Sequence, residues 1–292
     1  MMTSSQFTAF EQFRNDFHKK VAEWSRFAQT LAPLQKRAAQ SDTPEYPLET
    51  CVVYNRALDD VTQDGDIKLI VIGDNPGKDE QRACNNRYLV GQSGKLADGF
   101  FHRNSALGID FRKNVIILNK TPVHTAKTKH LRTLQKDKKI AQLILESQVW
   151  MAEHTAQLHQ ALVAGALRCE DGASQHADVL QHTERTTFMP REMRCNAKIA
   201  TVPQLWLVGY AELKKGGIFT PYRDALKSAY VGKNGLCAWQ NVFVYQHFSM
   251  NCFSIDLKRY LTRYDTTRNT ATLSSLLAEL GTLHRDEIFG AY

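Results

Sequence analysis

Four consecutive apolar residues, Leu69-Ile70-Val71-Ile72, run without a polar break into Gly73-Asp74-Asn75-Pro76-Gly77. A run this short, unbroken and rich in β-branched residues fits a parallel strand buried on both faces. The two glycines and the proline force a tight turn where that strand ends. Open α/β sheets bind ligands outside the carboxyl ends of their strands. Asp74 and Asn75 are therefore predicted to face a crevice.

Three more runs repeat the pattern: 114–119, 205–209 and 242–245. Each is followed by a segment with helical periodicity. Strand–helix repeated four times predicts an α/β fold, a three-layer α/β/α arrangement around a four-stranded parallel sheet. Phe7, Phe10, Phe13 and Phe17, continued by Val21, Trp24 and Phe27, recur at helical spacing, so residues 5–40 read as one or two helices packed on the core. Further helices are expected over about 95–104, with Ser93 as N-cap, and over 140–163, 221–229, 254–264 and 272–280. The expected organisation is one domain over 1–292, with a helical extension to residue 45, a core over 65–260 and a C-terminal helix over 261–292. Residues 165–201 show no clear period.

The chain has 292 residues, a net charge of +7 and six cysteines, at 51, 84, 169, 195, 237 and 252. No two cysteines form C-x-x-C, which argues against a zinc or cluster signature. Cys169, His176, His182 and Cys195 could be imagined as metal ligands, but their spacing is irregular, and His154 and His159, five apart, are not a same-face pair. No metal and no cofactor are expected. No apolar run approaches the roughly 20 residues of a membrane helix, and the first residues lack a basic stretch leading into an apolar core. A cytoplasmic monomer with reduced thiols, off the membrane, is expected. Between 120 and 139 stand Lys120, Lys127, Lys129, Arg132, Lys136, Lys138 and Lys139 against the single acid Asp137. Such a flank suits phosphate contacts, or is a solvated surface.

At two places the chain resembles the uracil-DNA glycosylase superfamily. Gly73-Asp74-Asn75-Pro76-Gly77 is similar to its G-x-N-P-G and G-E-A-P-G motifs, and Leu89-Val90-Gly91-Gln92-Ser93-Gly94-Lys95-Leu96-Ala97 to the F-V-G-x-x-G-x-L-L of its iron–sulfur branch. Gln246-His247-Phe248-Ser249 is similar to the second motif, H-P-S. The resemblance spans roughly residues 65–260 and implies a DNA glycosylase removing uracil or a related deaminated base. It lacks the iron–sulfur cysteines, so no cluster is expected.

The resemblance implies roles. His247 would donate to the departing base, and Asn119 would read the uracil edge, its oxygen accepting from N3–H and its nitrogen donating to O4. Asp74, as general base, or Asn75, as orienter, would handle the attacking water. Gly73, Pro76, Gly77, Tyr88, Leu89 and Phe101 would border the base. Lys120, Lys127, Lys129, Ser249, Met250 and Asn251 would meet DNA, with Met250 or Phe248 as the wedge that fills the vacated stack.

The sequence departs from the family pattern at three points. The proline after the motif histidine is Phe248. The base-stacking phenylalanine is Leu89, for which Tyr88 or Phe101 could substitute. The tyrosine that excludes a thymine methyl is Gly77, which widens the pocket. These departures keep open a catalytically weak or inactive nucleic-acid binder on the same fold. A nucleotide-binding protein is a third class, suggested by Gly77-Lys78 and Gly94-Lys95, but neither completes a P-loop.

Overall fold

The sheet consists of four parallel strands, β1 (Leu69–Gly73), β2 (Val115–Asn119), β3 (Gln204–Val208) and β4 (Val242–Tyr245), in the spatial order β2-β1-β3-β4. Every strand residue but Gln204 is buried, as continuous apolar runs require when helices cover both faces. The computed structural model describes residues 1–178, 202–231, 233–264 and 272–290. Within them the helices are α1 (Ser4–Ser25), α2 (Ala28–Ala39), α3 (Gln92–Arg103), α4 (Leu131–Leu134), α5 (Lys138–Asp178), α6 (Tyr210–Leu213), α7 (Thr220–Ala229), α8 (Lys233–Trp239), α9 (Cys252–Tyr264) and α10 (Leu273–Phe289).

The aromatic stripe of α1 buries Phe10, Phe13, Phe17, Val21 and Trp24. Phe13, Phe17 and Trp24 all pack on Trp150 of α5, with ring centroids 5.8–6.2 Å apart. Thr3 and Gln6 start α1 with a reciprocal capping box, which satisfies two backbone donors. Phe27, beyond the last turn of α1, is largely exposed. His159 of α5 is wholly buried, donating from Nε2 to Pro203 O at 3.0 Å and accepting from the Tyr230 hydroxyl at 2.7 Å. Burial pushes its imidazole down to about 4, so it serves packing as a neutral ring.

Three sequence expectations need correction. Helix α3 starts at Gln92 with Gly91 as its cap residue, and Ser93 lies inside the helix. Helix α5 runs past Val163 to Asp178; Ala164, Ala166 and Leu167 are good helix formers that outweigh Gly165 between them. Helix α10 continues to Phe289 and packs on β4, where the Tyr245 hydroxyl donates to Leu277 O at 2.8 Å. The side chains of Cys169 and His176, and all of His182 and Cys195, lie outside the described residues.

From β1 the chain moves outward to β2, then returns across β1 to β3 on the other side. That reversal opens a crevice at the carboxyl end of β1. The register sets Gly73 beside Asn119 of β2, and Ile72 beside Leu207 of β3.

Candidate active site

At the carboxyl ends of the strands lies a cavity of about 150 Å³ whose walls include Asp74, Asn75, Gly77, Asn119 and His247. The residues come from the ends of β1, β2 and β4, so sheet order alone brings them together.

Asn119 ends β2 and is 2% exposed. Its carboxamide oxygen lies so close to Gly73 that a Cβ there would sit 2.3 Å away. Its amide nitrogen is buried with no hydrogen-bond partner. An orphaned buried donor costs about 1–3 kcal/mol, and the residue that carries this one lines the cavity.

Asn75 is pinned by its nitrogen, which donates to Thr125 Oγ1 at 2.8 Å and to Val123 O at 3.3 Å. Among the described residues no hydrogen bond engages its oxygen, which leaves an acceptor at the cavity wall.

His247 follows β4 and is half-buried. Its Nδ1 accepts from the Ser249 N–H at 3.0 Å. The neutral ring therefore carries its proton on Nε2. Burial holds its imidazolium below the ordinary histidine range; the Asp74 carboxylate pulls upward and the Lys120 ammonium downward. At neutral pH the ring is an uncharged N–H donor.

Asp74 does not stand alone. The Lys120 ammonium, 0% exposed, lies 2.6 Å from its Oδ1 and also donates to Val208 O at 2.5 Å and Gly73 O at 3.3 Å. The Phe219 ring lies 4.9 Å from the same nitrogen. Burial lowers the ammonium from the usual lysine range and Asp74 opposes the shift.

Sequence reasoning missed Glu80. Its carboxylate accepts from Gly77 N–H at 3.1 Å and from Leu89 N–H at 2.9 Å, so it ties the turn after β1 to the loop before α3. It is 7% exposed and lines the cavity. Burial pushes its carboxyl up to about 7, against the two N–H bonds that favour ionisation. Leu89 takes a left-handed φ of 51°, an uncommon conformation for a branched side chain. No periodic or motif signal marks Glu80; only the close approach of the two loops does.

Several residues expected at the site sit elsewhere. Tyr88 is buried with its hydroxyl on Val53 O at 2.6 Å and does not line this cavity. Phe101 is a core residue, stacked between Phe111 and Trp206 at 5.5 Å from each. Leu89 does line the cavity, and among the cavity-lining residues no Phe, Tyr or Trp offers a stacking face. Pro76 is buried; its carbonyl accepts from His124 Nδ1 at 2.8 Å and shapes the turn. Phe248 is buried against Phe253 at 4.7 Å and cannot project outward. Met250 is 86% exposed, at φ 52°, and Asn251 is exposed beside it.

The basic flank is also partly committed. Lys120 is interior. Lys127 and Lys129 reach Asp42 at 3.2 and 3.0 Å, and His130 joins them at 2.8 Å. These partners, the His130 hydrogen bond foremost, hold Asp42 well below the usual carboxylate range. Arg132 pairs with Glu212 at 3.5 Å. Lys136, Lys138 and Lys139 are exposed. Gly94 serves packing rather than a phosphate cradle, since a Cβ there would lie 1.5 Å from Leu89 O.

A larger cavity, about 540 Å³, opens along the outer edge of β2 beside Arg87, Tyr88 and Arg112. Its walls hold none of the orphaned polar atoms and none of Asp74, Asn75, Asn119 or His247, so the smaller cavity is the chemical candidate. Among the described residues no group of three or more His, Cys, Asp or Glu side chains is placed to hold a metal ion, and no helix is long and apolar enough to cross a membrane. No family model, curated protein or solved structure matches the chain.

Proposed function

We propose that this protein is a DNA glycosylase that hydrolyses the N-glycosidic bond of uracil or a related deaminated base. The observation that carries the reading is the convergence of Asn119, with its unpartnered buried amide, and His247, a neutral Nε2–H donor, on one small cavity. Its volume of about 150 Å³ leaves room for a small planar group. That suits a single flipped base.

Breaking the bond leaves negative charge on the base and positive charge on the sugar. The Nε2–H of His247 would donate to the departing base oxygen, where charge develops. The Asn119 nitrogen would donate to a carbonyl such as uracil O4 and disfavour cytosine, whose amino group offers no acceptor there. The Asn75 oxygen would accept from the attacking water and aim it at the sugar carbon. Asp74, with one oxygen committed to Lys120, would oppose the sugar's positive charge. Met250, exposed on the loop that follows His247, would fill the vacated stack.

One observation favours a second reading. The lack of a stacking ring in the cavity fits a nucleic-acid-binding protein with little or no catalysis. Mass-spectrometric detection of free base from oligonucleotides carrying uracil, hypoxanthine or xanthine separates the two. Release of any base supports the glycosylase; tight DNA binding without release supports the binder.

A further inference from the structure

The most enclosed charge beside the cavity is Lys120. It does not line the cavity, and its three donor positions are spent on Asp74 Oδ1, Val208 O and Gly73 O. These acceptors belong to the end of β1, the turn after it and the end of β3, while Lys120 itself follows β2. Gly209, at φ 98°, closes the other side: a Cβ there would lie 2.3 Å from Asp74 Oδ1. Three strand ends are thus laced around one carboxylate.

We propose that Lys120 is a positioning residue of the candidate active site: it fixes the Asp74 carboxylate at the cavity wall and, through the paired charge, governs the electrostatic setting of His247. Of its acceptors, Asp74 lines the cavity, while Gly73 O and Val208 O anchor the ammonium to the ends of β1 and β3. An unpaired Asp74 would pull the His247 imidazolium upward, toward the ordinary histidine range. The ammonium counters that pull. Asp74 and His247 line the same small cavity, and the charges of Asp74 and Lys120 act on the imidazole in opposite directions. Glu80 and Lys127 stand on other walls of the cavity, Glu212 faces Lys120, and Phe100 of α3 meets the segment after the His247 loop through Phe253. The catalytic consequence rests on the glycosylase reading; the electrostatic one does not.

The test is an NMR titration of the His247 ring in the full chain, with Lys120→Met, Asp74→Asn and the double variant. Lys120→Met should raise the His247 midpoint by about one pH unit or more, the size of shift a nearby uncompensated charge produces. Asp74→Asn should lower it. Replacing a whole buried ion pair is commonly tolerated, so the double variant keeps the question open should Lys120→Met fail to fold: its midpoint should lie above that of Asp74→Asn. An unchanged midpoint in Lys120→Met, or equal midpoints in the double variant and Asp74→Asn, overturns the proposal. In single-turnover base release, Lys120→Met should lose at least tenfold, and the double variant no more than Asp74→Asn. Further loss in the double variant would show that Lys120 acts independently of Asp74 and overturn the positioning role. Absence of release from the unmodified protein would overturn the glycosylase reading and leave the titration result standing.

Discussion

The carboxamide of Asn119 is pressed against the Cα of Gly73, close enough that a Cβ there would lie 2.3 Å from its oxygen. Contact with the neighbouring strand fixes the side chain while its nitrogen stays unpartnered. An orphaned buried donor is destabilising in the unliganded fold, as function-bearing groups commonly are. Asn119→Leu should therefore melt no lower than the unmodified protein in calorimetry, yet lose selective release of uracil. A fall of many degrees would make Asn119 a structural residue.

Glu80 gives a pH signature. Its folded carboxyl is raised to about 7 from an ordinary 4.5. The native state holds this proton more tightly than the unfolded chain does, so stability from this group falls as pH rises from about 4.5 to 7 and is level above. The loss amounts to about 3 kcal/mol at most. Denaturant unfolding between pH 5 and 8 should show the unmodified protein losing stability relative to Glu80→Gln. Parallel profiles would contradict it.

The cation cluster on Asp42 predicts a salt effect. With Lys127, Lys129 and Lys136 replaced by Ala, DNA affinity should fall and the slope of log K against log salt should flatten by up to about 0.9 per lost phosphate contact. Asp42→Asn should act oppositely, by releasing Lys127 and Lys129. An unchanged slope in the triple variant would assign the flank to solvated surface.

Met250 predicts a strand preference. Met250→Ala should slow base release from duplex DNA by about tenfold, an effect of about 1.4 kcal/mol, and leave single-stranded substrate nearly untouched, because only the duplex has a stack to refill. Equal loss on both substrates would argue against a wedge.

Much of the fold was legible in the sequence because its strands are unbroken apolar runs and its helices carry clear stripes. The run 69–72 with its G-D-N-P-G turn located the edge that holds the cavity. Asn119 and His247 followed as strand-end residues. What the sequence hid was set by partners far along the chain. Lys120 looked like one more base in a basic flank, yet Asp74, 46 residues earlier, draws it into the interior. Tyr88 and Phe101 were plausible stacking rings by type, but their hydroxyl and ring partners place them in other layers. Glu80 carries no pattern and becomes visible only when two loops meet.

The role of His247 in base release is decided by single-turnover cleavage of a uracil-containing oligonucleotide, followed by alkali, with the unmodified protein and with His247→Ala. Strand scission is expected at the uracil position, with a rate lower by about 10²–10³-fold for His247→Ala, the usual cost of removing a donor at developing negative charge. DNA binding should be largely retained. Scission that proceeds equally fast in both proteins, or that fails to appear with the unmodified one, would contradict that role.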